Sequence, residues 1–159
     1  MFLALKVLLF RRLNKMVLYF AYGSNMLEKQ MIDRGCSIKN KTKGILNNFE
    51  FKFNTKSKDK SGKGNVQEKE KSIVEGVIYD IDSDSLKKLT SIEKRYHEKN
   101  VQILVDEKLL NCVTFVANED EIDTDLKPNT EYKAKIVQGA REFQLSESYI
   151  SFLEEFEVN

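Results

Sequence analysis

Apolar positions along this chain follow two periods, one of two residues and one near 3.6. Val17, Leu18, Tyr19, Phe20 and Ala21 form an unbroken apolar run closed by Gly23, which predicts a fully buried strand. Phe49, Phe51 and Phe53 alternate with Glu50, Lys52 and Asn54, the pattern of a half-buried strand. Residues 73–81 read as a further strand, with Gly76 in its middle marking a bulge or a close backbone approach. Val101, Ile103 and Val105 alternate in turn, and residues 112–117 make another short apolar run. The helical period shows at Met26, Leu27 and Met31, and again at Leu86, Leu89 and Ile92 behind the cap oxygens of Asp82, Ser83 and Asp84. Two helices are predicted to close the chain. One covers about 132–142, after Pro128, and one opens at Ser146 with Tyr149, Ile150, Leu153 and Phe156 on a single face.

Residues 55–71 hold almost nothing apolar and read as a mobile, solvated surface loop. Five or six strands with three or four interspersed helices make one α+β domain over residues 16–159. The strands do not alternate regularly with helices, which argues against a doubly wound parallel sheet. A chain of 159 residues is long enough to bury a full core, and 32% charged with 41% hydrophobic residues is a globular composition.

Twenty-six Lys and Arg against 25 Asp and Glu leave a net charge of +1, which supplies no global field to gather nucleic acid. Cys36 and Cys112 form no CxxC pair, and the single histidine, His97, excludes a His-rich metal centre. Two isolated cysteines fit a reducing compartment. Residues 1–15 hold a short apolar run followed by Arg11, Arg12 and Lys15, the reverse of a secretory signal and too short to span a bilayer. The expectation is an extension outside the domain, with Met16 as an alternative start; the other reading is a membrane-touching or partner-binding extension.

Two places could carry chemistry. Tyr22, Gly23, Ser24 and Asn25 follow directly on the buried first strand, and a helical pattern begins at Met26. Such a break leaves backbone N–H groups unpaired and suits anion binding; the plainer reading is an ordinary strand–helix turn capped by Ser24 or Asn25. Glu93 lies four residues after Leu89 and seven after Leu86, on the apolar face of its helix. A carboxylate facing a core or cleft is either a proton acceptor of raised pKa or half of an ion pair with a neighbouring Lys or Arg.

The stretch Leu18, Tyr19, Phe20, Ala21, Tyr22, Gly23, Ser24, Asn25, Met26 is similar to the opening signature of the γ-glutamylcyclotransferase family. Gly62-Lys63-Gly64-Asn65-Val66 resembles the family's G-x-A-N-I segment, with Gly64 for Ala, and Val74-Glu75-Gly76-Val77-Ile78-Tyr79 resembles its V-x-G-V-Y strand. Pro128 to Tyr132, Gly139-Ala140-Arg141-Glu142, and Leu145 to Tyr149 resemble its closing region. One motif departs: the family carries its catalytic glutamate in L-D-x-x-E-G, whereas Leu89 and Glu93 here flank Thr90 and precede Lys94. A shifted frame would set Tyr96 at the catalytic position; the unshifted frame keeps Glu93 there.

The resemblance implies a small mixed β-barrel or sheet flanked by helices. It implies cyclisation of a γ-glutamyl group to 5-oxoproline with release of the attached amine, as in glutathione metabolism, in the cytoplasm. Glu93 would be the catalytic base. Tyr19, Phe20, Ala21, Tyr22, Gly23, Ser24, Asn25 and Tyr132 would bind a small γ-glutamyl substrate. It implies no metal, cofactor, nucleic acid or membrane, and leaves room for a homodimer. The alternatives are a γ-glutamylamine cyclotransferase and a non-catalytic binding relative.

Overall fold

The first apolar run becomes β1 (Met16–Ala21) in a computed structural model that describes residues 15–159. The expectations for residues 1–14 lie outside the described residues. β1 runs antiparallel to β3 (Lys63–Asp82), with Tyr19 opposite Tyr79 and Ala21 opposite Val77. It meets β5 (Lys108–Ala117) in parallel, Tyr19 opposite Val113, and this pairing closes the sheet. β2 (Ile38–Thr55) pairs with β3 along nearly its whole length, and β4 (Tyr96–Val105) pairs with β5. The result is a closed five-stranded mixed barrel in the order β1-β3-β2-β4-β5. The β4–β5 turn is formed by Asp106 and Glu107, both at positive φ (45° and 69°), the backbone twist that two-residue hairpins favour.

Among the described residues four helices flank the barrel: α1 (Glu28–Asp33), α2 (Ser83–Ile92), α3 (Thr130–Glu142) and α4 (Glu147–Glu154). Their caps follow the sequence. Asp82 accepts the Ser85 N–H at 2.7 Å, Asn129 accepts that of Tyr132 at 2.7 Å, and Ser146 accepts that of Tyr149 at 3.2 Å. α3 starts two residues before the predicted Tyr132 because Asn129, not a later residue, supplies the cap. One buried cluster joins Phe20, Val66 and Tyr79 of the barrel to Met31, Leu89, Ile136 and Leu153 of the helices.

At Gly76 the close-approach reading holds. A Cβ there would stand 2.4 Å from the Ala21 carbonyl oxygen, and the β2–β3 register runs through Gly44 and Gly76 without a shift. The loop predicted over 55–71 is mostly strand. Only the segment between Thr55 and Lys63 turns, and β3 then pairs Val66 with Phe51 and Glu68 with Phe49. The charged side chains of this arm point to solvent while the backbone ladder runs on, and Lys69 pairs with Glu50 at 3.0 Å. The polar first half of β2, without apolar alternation, is held the same way. Ladder pairing overrides weak local propensity in both arms.

Candidate active site

β1 ends at Ala21 and the chain turns through Tyr22 and Gly23 into a 3₁₀ turn, Ser24–Met26. Three contacts fix this turn. The Tyr22 hydroxyl donates to the Phe115 carbonyl on β5, and the Thr114 hydroxyl donates to the Phe20 carbonyl at 2.8 Å. The Tyr79 hydroxyl donates to the Met26 carbonyl at 3.0 Å. α3 lies directly against the turn at Gly139, where a Cβ would stand 2.6 Å from the Met26 carbonyl carbon and 2.7 Å from the Leu27 nitrogen. Within the turn the N–H groups of Met26 and Leu27 are used by Gly23 and Ser24. Those of Gly23, Ser24 and Asn25 find no hydrogen-bond partner among the described residues.

The turn is one wall of a well of about 40 Å³, room for about three waters, which suits a compact polar head group. Tyr19, Tyr22, Gly23, Ser24 and Asn25 line it on one side, and Glu93, Tyr96 and Tyr132 on the other. Glu93 arrives there because α2 ends on it: its N–H bonds the Leu89 carbonyl at 2.9 Å and its carbonyl accepts the Tyr96 N–H at 3.1 Å. That tight turn at the head of β4 aims Glu93 and Tyr96 into the same space. The Glu93 side chain is 22% exposed and its Oε1 accepts from Arg34 Nη1 at 2.9 Å. Glu93 thus lines the well and stands in an ion pair, the second of the two alternatives the sequence offered.

Arg34 ties the two walls together. The same Nη1 donates to Asn25 Oδ1 at 3.0 Å, while Asn25 Nδ2 donates to the Tyr19 hydroxyl at 2.9 Å. Gln30 adds bonds to Ser24 Oγ (2.6 Å) and Asn25 Oδ1 (3.0 Å). Each polar group of the turn thus has a fixed orientation, as a preorganised site requires. Opposite, the Tyr132 hydroxyl accepts the Gly64 N–H at 2.9 Å and the Tyr96 hydroxyl donates to the Gly64 carbonyl at 2.8 Å. Burial, against the bond from Gly64 and with the Glu93 charge adding to it, pushes Tyr132 up to about 12. Burial likewise raises Tyr19, Tyr22 and Tyr96, so these phenols stay neutral hydrogen-bonding groups.

The predicted residues thus converge, with two exceptions. Phe20 and Ala21 are fully buried core residues of β1 and do not line the well. Phe20 alternates with the well-lining Tyr19 and faces away from it, while Ala21, on the same face as Tyr19, is a small side chain buried in the core. Reasoning from sequence missed Arg34, Gln30, Gly64 and Phe115. Tyr96 carried a signal, since the shifted motif frame singled it out; Arg34, 59 positions from Glu93, carried none. Among the described residues no group of three or more His, Cys, Asp or Glu could hold a metal, and no helix is long and apolar enough to cross a membrane.

Residues 73–153 match the model of the AIG2-like family. The chain belongs to that family. This AIG2-like protein has the fold of a structure described as gamma-glutamyl cyclotransferase, with a TM-score of 0.82, 24% identity, and coverage of 91% of this chain and 90% of the other. An uncharacterised protein from Homo sapiens matches with the same values. A yeast gamma-glutamyl cyclotransferase specific to glutathione aligns with a TM-score of 0.68 at 13% identity, over 88% of this chain and 94% of the other. No curated protein matches the chain in sequence.

Proposed function

We propose that this AIG2-like protein is a γ-glutamylcyclotransferase, a cofactor-free cytoplasmic enzyme that cyclises a γ-glutamyl group to 5-oxoproline and releases the attached amine. The observation that carries the reading is that the Glu93 carboxylate and the unpaired amides of Gly23, Ser24 and Asn25 belong to one small well.

The reaction needs little beyond what such a well offers. The α-amine of the glutamyl group attacks its own δ-carbonyl carbon, a new C–N bond closes the five-membered ring, and the bond to the leaving amine breaks. Nucleophile and electrophile belong to one molecule, so confining the glutamyl head in a folded geometry removes much of the barrier. The α-ammonium loses two protons on becoming the ring amide, and Glu93 passes them in turn to the leaving nitrogen, which departs as an ammonium, so no proton is left over. Arg34 holds the carboxylate in position through its bonds to Glu93 and Asn25. The amides of the 23–25 turn bind negative charge, either the substrate's carboxylate or the oxyanion on the attacked carbonyl. Tyr132, fixed to Gly64, bounds the glutamyl head.

Two features favour a binding relative without turnover: the altered motif, with Thr90 and Lys94 in place of Asp and Gly, and the Arg34–Glu93 pair, since an ion-paired carboxylate has a purely structural use as well. Glu93→Gln separates the two. In a cyclotransferase it keeps the melting temperature close to that of the unmutated protein and lowers 5-oxoproline release from a γ-glutamyl dipeptide by ~10²–10⁴-fold. Turnover within a few-fold of the unmutated chain removes Glu93 from the base role. An unmutated chain that binds the dipeptide and releases nothing is a binding relative.

A further inference from the structure

Beside the well runs a groove of about 640 Å³ that shares Glu93 and Tyr96 with it. Its walls carry Lys56, Lys58, Lys63, Lys94 and Arg95 against two carboxylates, Glu93 and Glu121. In a chain of net charge +1 this is a strong local excess of positive charge. The two acids are already engaged, Glu93 with Arg34 at 2.9 Å and Glu121 with Arg95 at 2.5 Å. Lys56 donates to the backbone oxygen of Asp120 at 3.1 Å. Lys58, Lys63 and Lys94 have no ion-pair partner among the described residues.

Lys63 ties the groove to the well. Its ammonium stands 4.1 Å from the ring centroid of Tyr132, whose hydroxyl end lines the well. Asp59 and, more weakly, Glu93 are the acids that act on Lys63; the Asp59 carboxylate is occupied by Ser57, Ser61 and Asn129, and the exposed Lys135 adds a positive charge acting on Lys63. Partial burial, the largest influence on it, lowers the pKa of Lys63. A half-buried ammonium without an acid partner gains most from an anion arriving beside it.

If the glutamyl head occupies the well, the scissile bond lies by Glu93, and the part of the substrate beyond it meets the groove that shares Glu93 and Tyr96. One carboxylate would engage one of the unpaired lysines and leave the others. We propose that this groove is a leaving-group subsite for polyanionic amines, so that the favoured substrates are γ-glutamyl compounds whose amine part carries two or more carboxylates, such as γ-linked oligoglutamates. The inference rests on the cyclotransferase reading. Each turnover would close the terminal glutamyl residue to 5-oxoproline, break its amide bond, and release an oligomer one residue shorter, its new ammonium carrying both protons given up by the attacking nitrogen.

The test is calorimetric titration of the full chain carrying Glu93→Gln, which slows turnover, with γ-Glu-γ-Glu-γ-Glu and with γ-Glu-Ala-Ala. The acidic peptide is expected to bind about tenfold more tightly at low salt, an advantage built from several partly exposed charge contacts. That advantage should shrink at high salt and collapse in the further double variant Lys58→Gln, Lys94→Gln. Equal affinities, an advantage that survives loss of the lysines, or no binding of either peptide would each overturn the subsite. Release of 5-oxoproline from γ-Glu-Ala-Ala by the unmutated chain, without an acidic preference, leaves the cyclotransferase standing and removes only the subsite. Lysine-dependent binding of the acidic peptide with no release from either one overturns both.

Discussion

Gly23 stands between the turn's unpaired amides and the opposite wall of the well. A Cβ added there meets only the Tyr132 hydroxyl, at 3.5 Å, an ordinary contact, and the residue's φ of −108° is open to any side chain. Folding therefore does not demand glycine here, but the larger branched side chain of valine would fill the space above the amides. Gly23→Val is expected to keep a cooperative unfolding transition and to lose most turnover of a γ-glutamyl dipeptide. Ser24→Ala should do less, because it removes a hydroxyl bonded to Gln30 and leaves the backbone donor in place. A Gly23→Val protein that turns over normally would move the anion-binding amides elsewhere. The turn and Glu93 were legible in the sequence because each is announced locally, by an apolar strand that stops at Gly-Ser-Asn and by an acid on an apolar face. Arg34 and Gln30 were not, since polar residues on an exposed helix look alike until the tertiary fold brings them to Asn25.

At the scale of elements, the site depends on how closely α3 lies on the 3₁₀ turn and on where α2 ends. Gly139→Ala sets a methyl against backbone atoms of Met26 and Leu27 at 2.6–2.7 Å, where neither side can yield cheaply. It should cost about 1–3 kcal/mol of stability, the range for overpacking a tight contact. Because the displaced helix carries Tyr132, turnover should fall with it; a melting temperature equal to that of the unmutated protein would show that the helix can slide freely. Asp82→Ala removes the cap of α2 and should cost about 1 kcal/mol at neutral pH. The bonds from Ser85 hold the Asp82 carboxyl below its usual 3.8. A depressed folded-state value means the stabilisation is complete above that usual value and fades as pH falls through the lower one. The difference between Asp82→Ala and the unmutated protein should accordingly be constant from neutral pH down to mildly acid conditions and close only in strong acid, as denaturant midpoints across pH would report. The helices were legible because caps and apolar spacing agree at each of them. The polar arms of β2 and β3 were not, because their ladder is supplied by a partner strand rather than by their own side chains.

For the whole molecule, the barrel is closed by one short strand that pairs on both sides, and the position where that strand begins decides what the fold requires. β1 contributes its first partner at Met16, opposite Asp82, and its parallel contact with β5 falls at Tyr19. Sequence could assign strands, an α+β class and a single domain, yet strand order and closure stayed hidden, since the parallel β1–β5 contact joins segments more than 90 residues apart. The resemblance to the cyclotransferase family supplied what periodicity could not. All described strand pairs lie at or after Met16, so a chain shortened to begin there keeps every one of them. Such a truncation should leave the melting temperature within about 2 °C of the full chain, the scale of changes that touch no buried contact in a domain of this size. Turnover of a γ-glutamyl dipeptide should stay within a factor of about two, an energy difference below one kcal/mol. A larger fall in melting temperature would mean that the apolar run before Met16 packs on the barrel and is part of the domain. Unchanged stability with lost turnover would instead link that run to the well, and either result would move the domain boundary from Met16 toward the start of the chain.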